Sequence, residues 1–100
     1  MAGESFFNIL GLARRAGKLI HGHDAVLRNF ERGRLLIISL DYSRRESSYF
    51  RRLAVKKGIP VLFVGSKEEF GKLLGTSPTG VLLVVDRNFA RKLLEEFNRE

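Results

Sequence analysis

Three stretches of the chain are apolar almost without interruption: "LLIISL" at 35–40, "IPVLFVG" at 59–65 and "GVLLVV" at 80–85. None alternates between apolar and polar positions, so a strand drawn through any of them is buried on both faces, as in a sheet covered by helices on its two sides. The segments between them carry helical spacing and helical punctuation. Phe6, Ile9, Leu10 and Ala13 recur at three- and four-residue intervals and predict a helix over about 5–16 ended by Gly17; Val26 and Phe30 predict a short one closed by Gly33. Ser43 with Glu46, and Ser66 with Glu69, each fit a capping box, in which serine accepts from the amide three residues on and glutamate reaches back. Helices are therefore expected over about 44–57, stopped by Gly58, and 67–74, stopped by Gly75. In the first of these, Tyr49, Leu53 and Ala54 are expected to face the core, with Arg44, Arg45, Arg51, Arg52, Lys56 and Lys57 turned largely to solvent. Phe89, Leu93, Leu94 and Phe97 mark a last helix over about 87–98, and Lys18 to Ile20 a short extended piece.

Alternating elements of this kind predict the α/β class: a three-layer α/β/α sandwich with a small, mostly parallel or mixed sheet. One hundred residues suit a single domain spanning 1–100. Loops at strand ends, notably 40–43 and 75–80, are the natural positions for a site.

Charge narrows the function. The net +7 is carried entirely by residues 1–58, which hold 12 Lys+Arg against 5 Asp+Glu, while residues 59–100 hold six of each. A basic half attracts polyanions, and nucleic acid is the commonest of these in a cell, although a basic chain can also be merely soluble. With no cysteine and only His21 and His23, no thiol chemistry, dedicated metal site or cofactor is expected. No apolar run approaches the roughly 20 residues needed to span a bilayer, and no basic, then apolar, leader opens the chain. The expectation is a cytoplasmic protein with no membrane partner.

Motifs for catalysis fail on inspection. "GLARRAGK" at 11–18 has five residues between its glycines, is followed by Leu19 and lies on a predicted helix, so it is no phosphate-binding Walker loop. Asp41 and Asp86 end strands, where aspartate serves mostly as a turn or helix-cap residue. No nucleophile has a histidine and carboxylate partner at a convincing spacing. The chain is not expected to be an enzyme.

"GHDAVLR" at 22–28 is more suggestive. Gly22 permits a tight entry, His23 and Asp24 follow, and unpaired amides at a helix start attract phosphate. Asp24 and Arg28 lie one turn apart, so a carboxylate acceptor and a guanidinium fork point the same way; guanine edges and phosphates are their natural counterparts. A cap and an intrahelical pair would use the same two residues. Arg14, Arg15, Lys18, His21 and Arg34 are expected around this end.

"ARRAGKLIHGHDAVLRNFERGRLLIISLD", "GIPVLFVGSKEEFGKLLG" and "VLLVVD" together resemble, over about residues 5–97 and in one register, the L7Ae/L30e ribosomal protein superfamily, most closely its small bacterial, YlxQ-like members. The resemblance implies an α/β/α sandwich that binds RNA, often a kink-turn, without catalysis. The superfamily's Gly-x-Asn-Glu-x-x-Lys motif falls on Gly22, Asp24, Ala25 and Arg28. The glycine matches and Arg28 keeps the cation. Where kink-turn binders read tandem sheared G·A pairs with Asn and Glu, Asp24 accepts but does not donate, and Ala25 offers nothing polar. Ser43 replaces an acidic residue that many members place after the first long strand. The second RNA-facing loop falls on Thr76, Ser77, Pro78, Thr79 and Gly80, more polar here than usual. These departures touch base reading and leave the fold untouched. The expected surface is therefore Gly17 to Arg28, Arg34, Asp41 to Ser43 and Thr76 to Gly80. Its expected partner is structured RNA, ribosomal RNA first, with ribosomal proteins as neighbours and the chain a monomer. A protein-interaction module using the basic face, or a recognition domain serving a separate RNA-modifying enzyme, are the competing readings.

Overall fold

Leu35, Leu36, Ile37 and Ile38 are all buried, as are Val81, Leu82, Leu83 and Val84, so the two central strands of the sheet bury both faces. The computed structural model describes residues 3–99. In chain order its elements are α1 (Glu4–Arg15), β1 (Leu19–His21), α2 (His23–Arg28), a 3-10 turn (Phe30–Arg32), β2 (Leu35–Ile38), α3 (Arg44–Lys57), β3 (Val61–Phe63), α4 (Lys67–Leu74), β4 (Val81–Val84) and α5 (Arg87–Asn98). The four strands form one sheet in the order β1-β4-β2-β3. Of the two sheet types expected, the mixed one is realised: β2 and β3 are parallel, whereas β4 runs antiparallel to both β1 and β2. An unbroken apolar run encodes burial on two faces and says nothing about strand direction.

Alternation along each strand sends side chains to two separate cores. Leu35, Ile37, Leu82 and Val84 pack with Phe6 and Leu10 of α1, Phe70 and Leu74 of α4, and Leu93 of α5. Leu36, Ile38, Val81 and Leu83 pack on the other side with Val26 of α2, Phe30, and Phe50 and Ala54 of α3. Helices thus cover both faces, giving the three-layer α/β/α sandwich. Two details differ from the sequence expectation. On α3 it is Phe50 that is fully buried, one turn before Ala54, while Tyr49 stays 37% exposed at the edge of that face. The short helix ends at Arg28 and continues as the 3-10 turn, with the Asn29 side-chain amide donating to the Ala25 carbonyl at 2.8 Å.

Both strand-end aspartates act on helix starts. Asp86 caps α5 by accepting from the Phe89 amide at 2.9 Å, and Asp41 accepts from the Lys67 amide, the first of α4, at 2.9 Å. Ser43 and Ser66 cap α3 and α4 through the Glu46 and Glu69 amides, the serine half of each expected box. Among the described residues no helix is long and apolar enough to cross a membrane, and no group of three or more candidate side chains could hold a metal ion.

Candidate nucleic-acid interface

Three chain segments converge at one end of the sheet. The Gly22 amide donates to the Val81 carbonyl at 3.1 Å, tying the entry of α2 to the start of β4. The Ser39 amide donates to the Gly80 carbonyl at 2.9 Å, tying the end of β2 to the same place. Gly22, the 40–43 loop and the 75–80 loop therefore meet. Two glycines make the junction possible. Gly22 has φ +92° and ψ 153°, a conformation open to glycine and strained for any residue with a Cβ. Gly80 needs smallness instead: a Cβ there would clash with Cδ1 of the Tyr42 ring, so the two loops touch through Tyr42 and a bare backbone. The 76–80 loop is in turn held to α4, with the Thr79 amide donating to the Lys67 carbonyl at 3.2 Å and the Thr76 amide to the Gly71 carbonyl at 2.9 Å. Thr76, Ser77 and Pro78 are exposed at its tip.

His23 is the hub of this end. Its Nδ1 shares a hydrogen bond with Asp24 Oδ1 at 2.9 Å, and its Nε2 lies 3.2 Å from Glu46 Oε1 on α3. Its ring stands edge-on to Phe50, centroids 5.4 Å apart. Hydrogen bonding to Asp24, helped by the Glu46 charge, raises the His23 pKa above its ordinary 6.5, against a smaller opposing effect of desolvation. The same bond holds the Asp24 carboxyl below its usual range, with Arg28 adding a minor attraction. Asp24 is thus engaged by His23 and not by an ion pair to Arg28, and it remains 86% exposed as an acceptor. At six residues α2 offers too little dipole to form an anion site alone, so recognition here rests on side chains.

A raised folded-state pKa means that the charged bridge is complete below 6.5 and fades as pH rises through the His23 value; the Asp24 carboxylate persists until pH falls below its depressed pKa. An NMR titration of the His23 ring should give a midpoint above 6.5, which Glu46→Gln and Asp24→Asn each move downward. A midpoint at or below 6.5 would contradict the bridge.

Other expected site residues fall elsewhere. Lys18 and Arg34 sit at the opposite end of the sheet, the Lys18 carbonyl accepting from Val85 and the Arg34 amide donating to Val84. Arg14 is engaged through its side chain, the guanidinium donating to the Leu74 carbonyl at the end of α4 at 2.8 Å. Strand alternation turns His21, paired with Leu82, to the face of α1, α4 and α5, away from His23. Asp41 stays near the junction, but its carboxylate anchors α4, and the Lys67 amide keeps its pKa low. Ala25 and Arg28 follow along α2, Arg28 exposed in its last turn.

Residues 4–94 match the ribosomal protein L7Ae/L30e/S12e/Gadd45 family. The chain belongs to that family. Among L7Ae-family proteins it is 30% identical to the RNA-binding protein YlxQ of Bacillus subtilis (strain 168), covering 94% of this chain and 96% of that one. It is 32% identical to the YlxQ RNA-binding protein of Enterococcus faecium, covering 92% and 90%. Of solved structures, a protein of unknown function from Bacillus halodurans C superposes with a TM-score of 0.89 at 28% identity over 96% of this chain and 99% of that one. The Giardia lamblia 15.5kD RNA binding protein shares the fold, with a TM-score of 0.75 at 23% identity, over 99% and 92%. The two YlxQ proteins and the Giardia protein are named for RNA binding.

Of the residues at this candidate site, Glu46 lies outside the expected surface, and Tyr42 falls within its 41–43 segment without a role assigned to it. Glu46 was legible only as the partner of Ser43 in a cap; nothing in the sequence links it to His23, 23 residues earlier. Tyr42 carries a weak signal in retrospect, an aromatic in an otherwise polar loop. Burial between Gly80 and Phe50 raises its pKa.

Proposed function

We propose that this chain is a non-catalytic binder of structured RNA, of the kink-turn or a related ribosomal type, acting at the ribosome as a monomer without cofactor. The observation that carries this reading is the convergence of the Gly22 turn and the 75–80 loop on the start of β4. It sets an acceptor (Asp24), a cation (Arg28), an imidazole (His23) and the polar loop Thr76 to Thr79 about one end of the sheet. Such a set suits a bent or bulged RNA, whose exposed base edges and closely spaced phosphates meet both loops at once. Its kinship with proteins named for RNA binding supports the same conclusion.

The test compares two arginine deletions. Arg28→Ala should weaken binding to structured RNA by about 1–3 kcal/mol, whereas Arg91→Ala, on the exposed side of α5, should cost almost nothing. Equal losses in a fixed-salt titration would reduce the effect to bulk charge.

A further inference from the structure

The proposed site does not explain the charge of the protein. Its residues set one cation, Arg28, and the His23 imidazole against the Asp24 carboxylate, while the whole chain carries +7. The excess lies on α3, which holds six cations and the single carboxylate Glu46, a net of +5. Lys57 pairs with Glu31. Arg44, Arg45, Arg51, Arg52 and Lys56 are exposed, and among the described residues none of the five makes an ion pair.

Folding gives no reason for this arrangement. Arg44 and Arg45 occupy the first turn of α3, where the helix dipole disfavours positive charge, and Arg52 and Lys56 repel each other one turn apart. The core-facing side, Phe50 and Ala54, is satisfied without any of them. At 3.6 residues per turn the cations fall in two rows: Arg44 and Arg51 along one line, Arg45, Arg52 and Lys56 along another, with Ser48 and Val55 between. The face extends about 20 Å along the 14-residue helix.

We infer that the outer face of α3 is a second RNA-binding surface, a phosphate track for a base-paired stem that flanks the motif held at the loop end. Three features select this ligand. Two cation rows astride an uncharged strip suit the two backbones that border a groove of A-form RNA, which is recognised through shape and phosphates. The strip itself holds Ser48 and Val55, and Tyr49 borders only the Arg45–Arg52–Lys56 row, one aromatic where a single-stranded ligand would want a series of stacking platforms. The face is also continuous with the proposed site: α3 begins directly after Ser43, and Arg45 and Arg52 border the α2–α3 groove together with His23, Leu27 and Tyr49. The inference rests on RNA binding as proposed above, but it makes a separate demand, because a plain duplex should bind α3 without any loop motif.

The experiment measures binding of the full chain to a short, fully paired RNA duplex and to its single strand over a salt series. Wild type should prefer the duplex. The triple change Arg45→Gln, Arg52→Gln, Lys56→Gln should weaken duplex binding roughly tenfold or more at low salt and reduce the salt slope by about two to three, the loss of some three phosphate contacts. A control triple on α5, Arg87→Gln, Arg91→Gln, Lys92→Gln, should change little, and circular dichroism should show α3 intact, glutamine being a good helix former. Unchanged duplex binding in the α3 triple, equal loss in the α5 triple, or tighter binding to the single strand would overturn the proposal. So would tighter binding of polyglutamate than of duplex, abolished by the α3 triple, which would make the face a protein-docking one. Failure of the loop-end reading looks different: Arg28→Ala would be silent on structured RNA while the α3 triple still lost duplex.

Discussion

Phe50→Ala should cost about 3–5 kcal/mol of stability, the transfer free energy of a fully buried aromatic ring plus the cavity it leaves. For a domain of this size that is a fifth or more of a total of roughly 5–15 kcal/mol, so the denaturant midpoint should fall steeply at unchanged slope. The consequence reaches function because of what Phe50 supports. His23 stands edge-on to it at 5.4 Å, Tyr42 and Phe30 are tilted against it at 6.5 Å, and Tyr49 meets it edge-on at 5.5 Å. One ring thus underlies both the His23 hub and the tyrosine that joins the two loops. Phe50→Leu, which keeps a large apolar side chain, should leave the protein folded at room temperature and still weaken binding to structured RNA, since His23 and Tyr42 lose their common support. A Phe50→Leu protein of reduced stability but undiminished RNA affinity would show that the ring serves packing alone.

The second large effect concerns which RNA is bound. Asp24 is committed to His23 and can only accept, and Ala25 has no polar side chain, so the chain as it stands should favour a kink-turn with sheared G·A pairs only modestly over a straight duplex. Asp24→Asn combined with Ala25→Glu should raise that preference by about 1–3 kcal/mol, the usual size of a good bidentate base contact. Asparagine supplies a donor beside the acceptor, and glutamate in the first turn of α2 also suits the helix dipole. Duplex binding should change little, because it draws on phosphates. Competition at fixed salt among a kink-turn, a duplex and a kink-turn lacking its G·A pairs decides the matter. Discrimination by the unmodified protein of a hundredfold, about 2.7 kcal/mol, would transfer base reading from Asp24 and Ala25 to the 76–80 loop.

Much of the architecture was written locally. Serine caps and glycine stops marked α3 and α4 to the residue, and the unbroken runs at 35–40 and 80–85 announced strands buried on both faces. Direction was not legible, since Val81 to Val84 would read the same in a parallel or an antiparallel ladder. Phe50 was passed over because "SYFRRLA" has apolar residues at 49, 50, 53 and 54, and two helical faces fit that spacing equally well; packing against Phe30 and Leu36 selected the second. For the candidate site, adjacency in the chain misled. Lys18 and Arg34 lie within a few residues of strands that reach the junction, yet at their far ends, because a strand carries its two termini about 10 Å apart. Conversely, His23 and Glu46 meet only because α2 and α3 share one face of the sheet, a fact of topology that no local pattern encodes.

The position of β4 has a bearing on how the protein is born. It is the last strand in the chain, yet it lies between β1 and β2, and both the Gly22 and Ser39 amides find their acceptors on residues 80 and 81. During synthesis the α2 turn and the 40–43 loop emerge early and wait for a partner made much later, a long-range pairing of the kind that slows folding. The basic segment of α3, by contrast, is fully synthesised as soon as Gly58 has been added. A growing chain therefore carries its basic segment before the two loops of the junction have a common anchor, and that anchor arrives only with the final strand, which slots into the middle of the sheet.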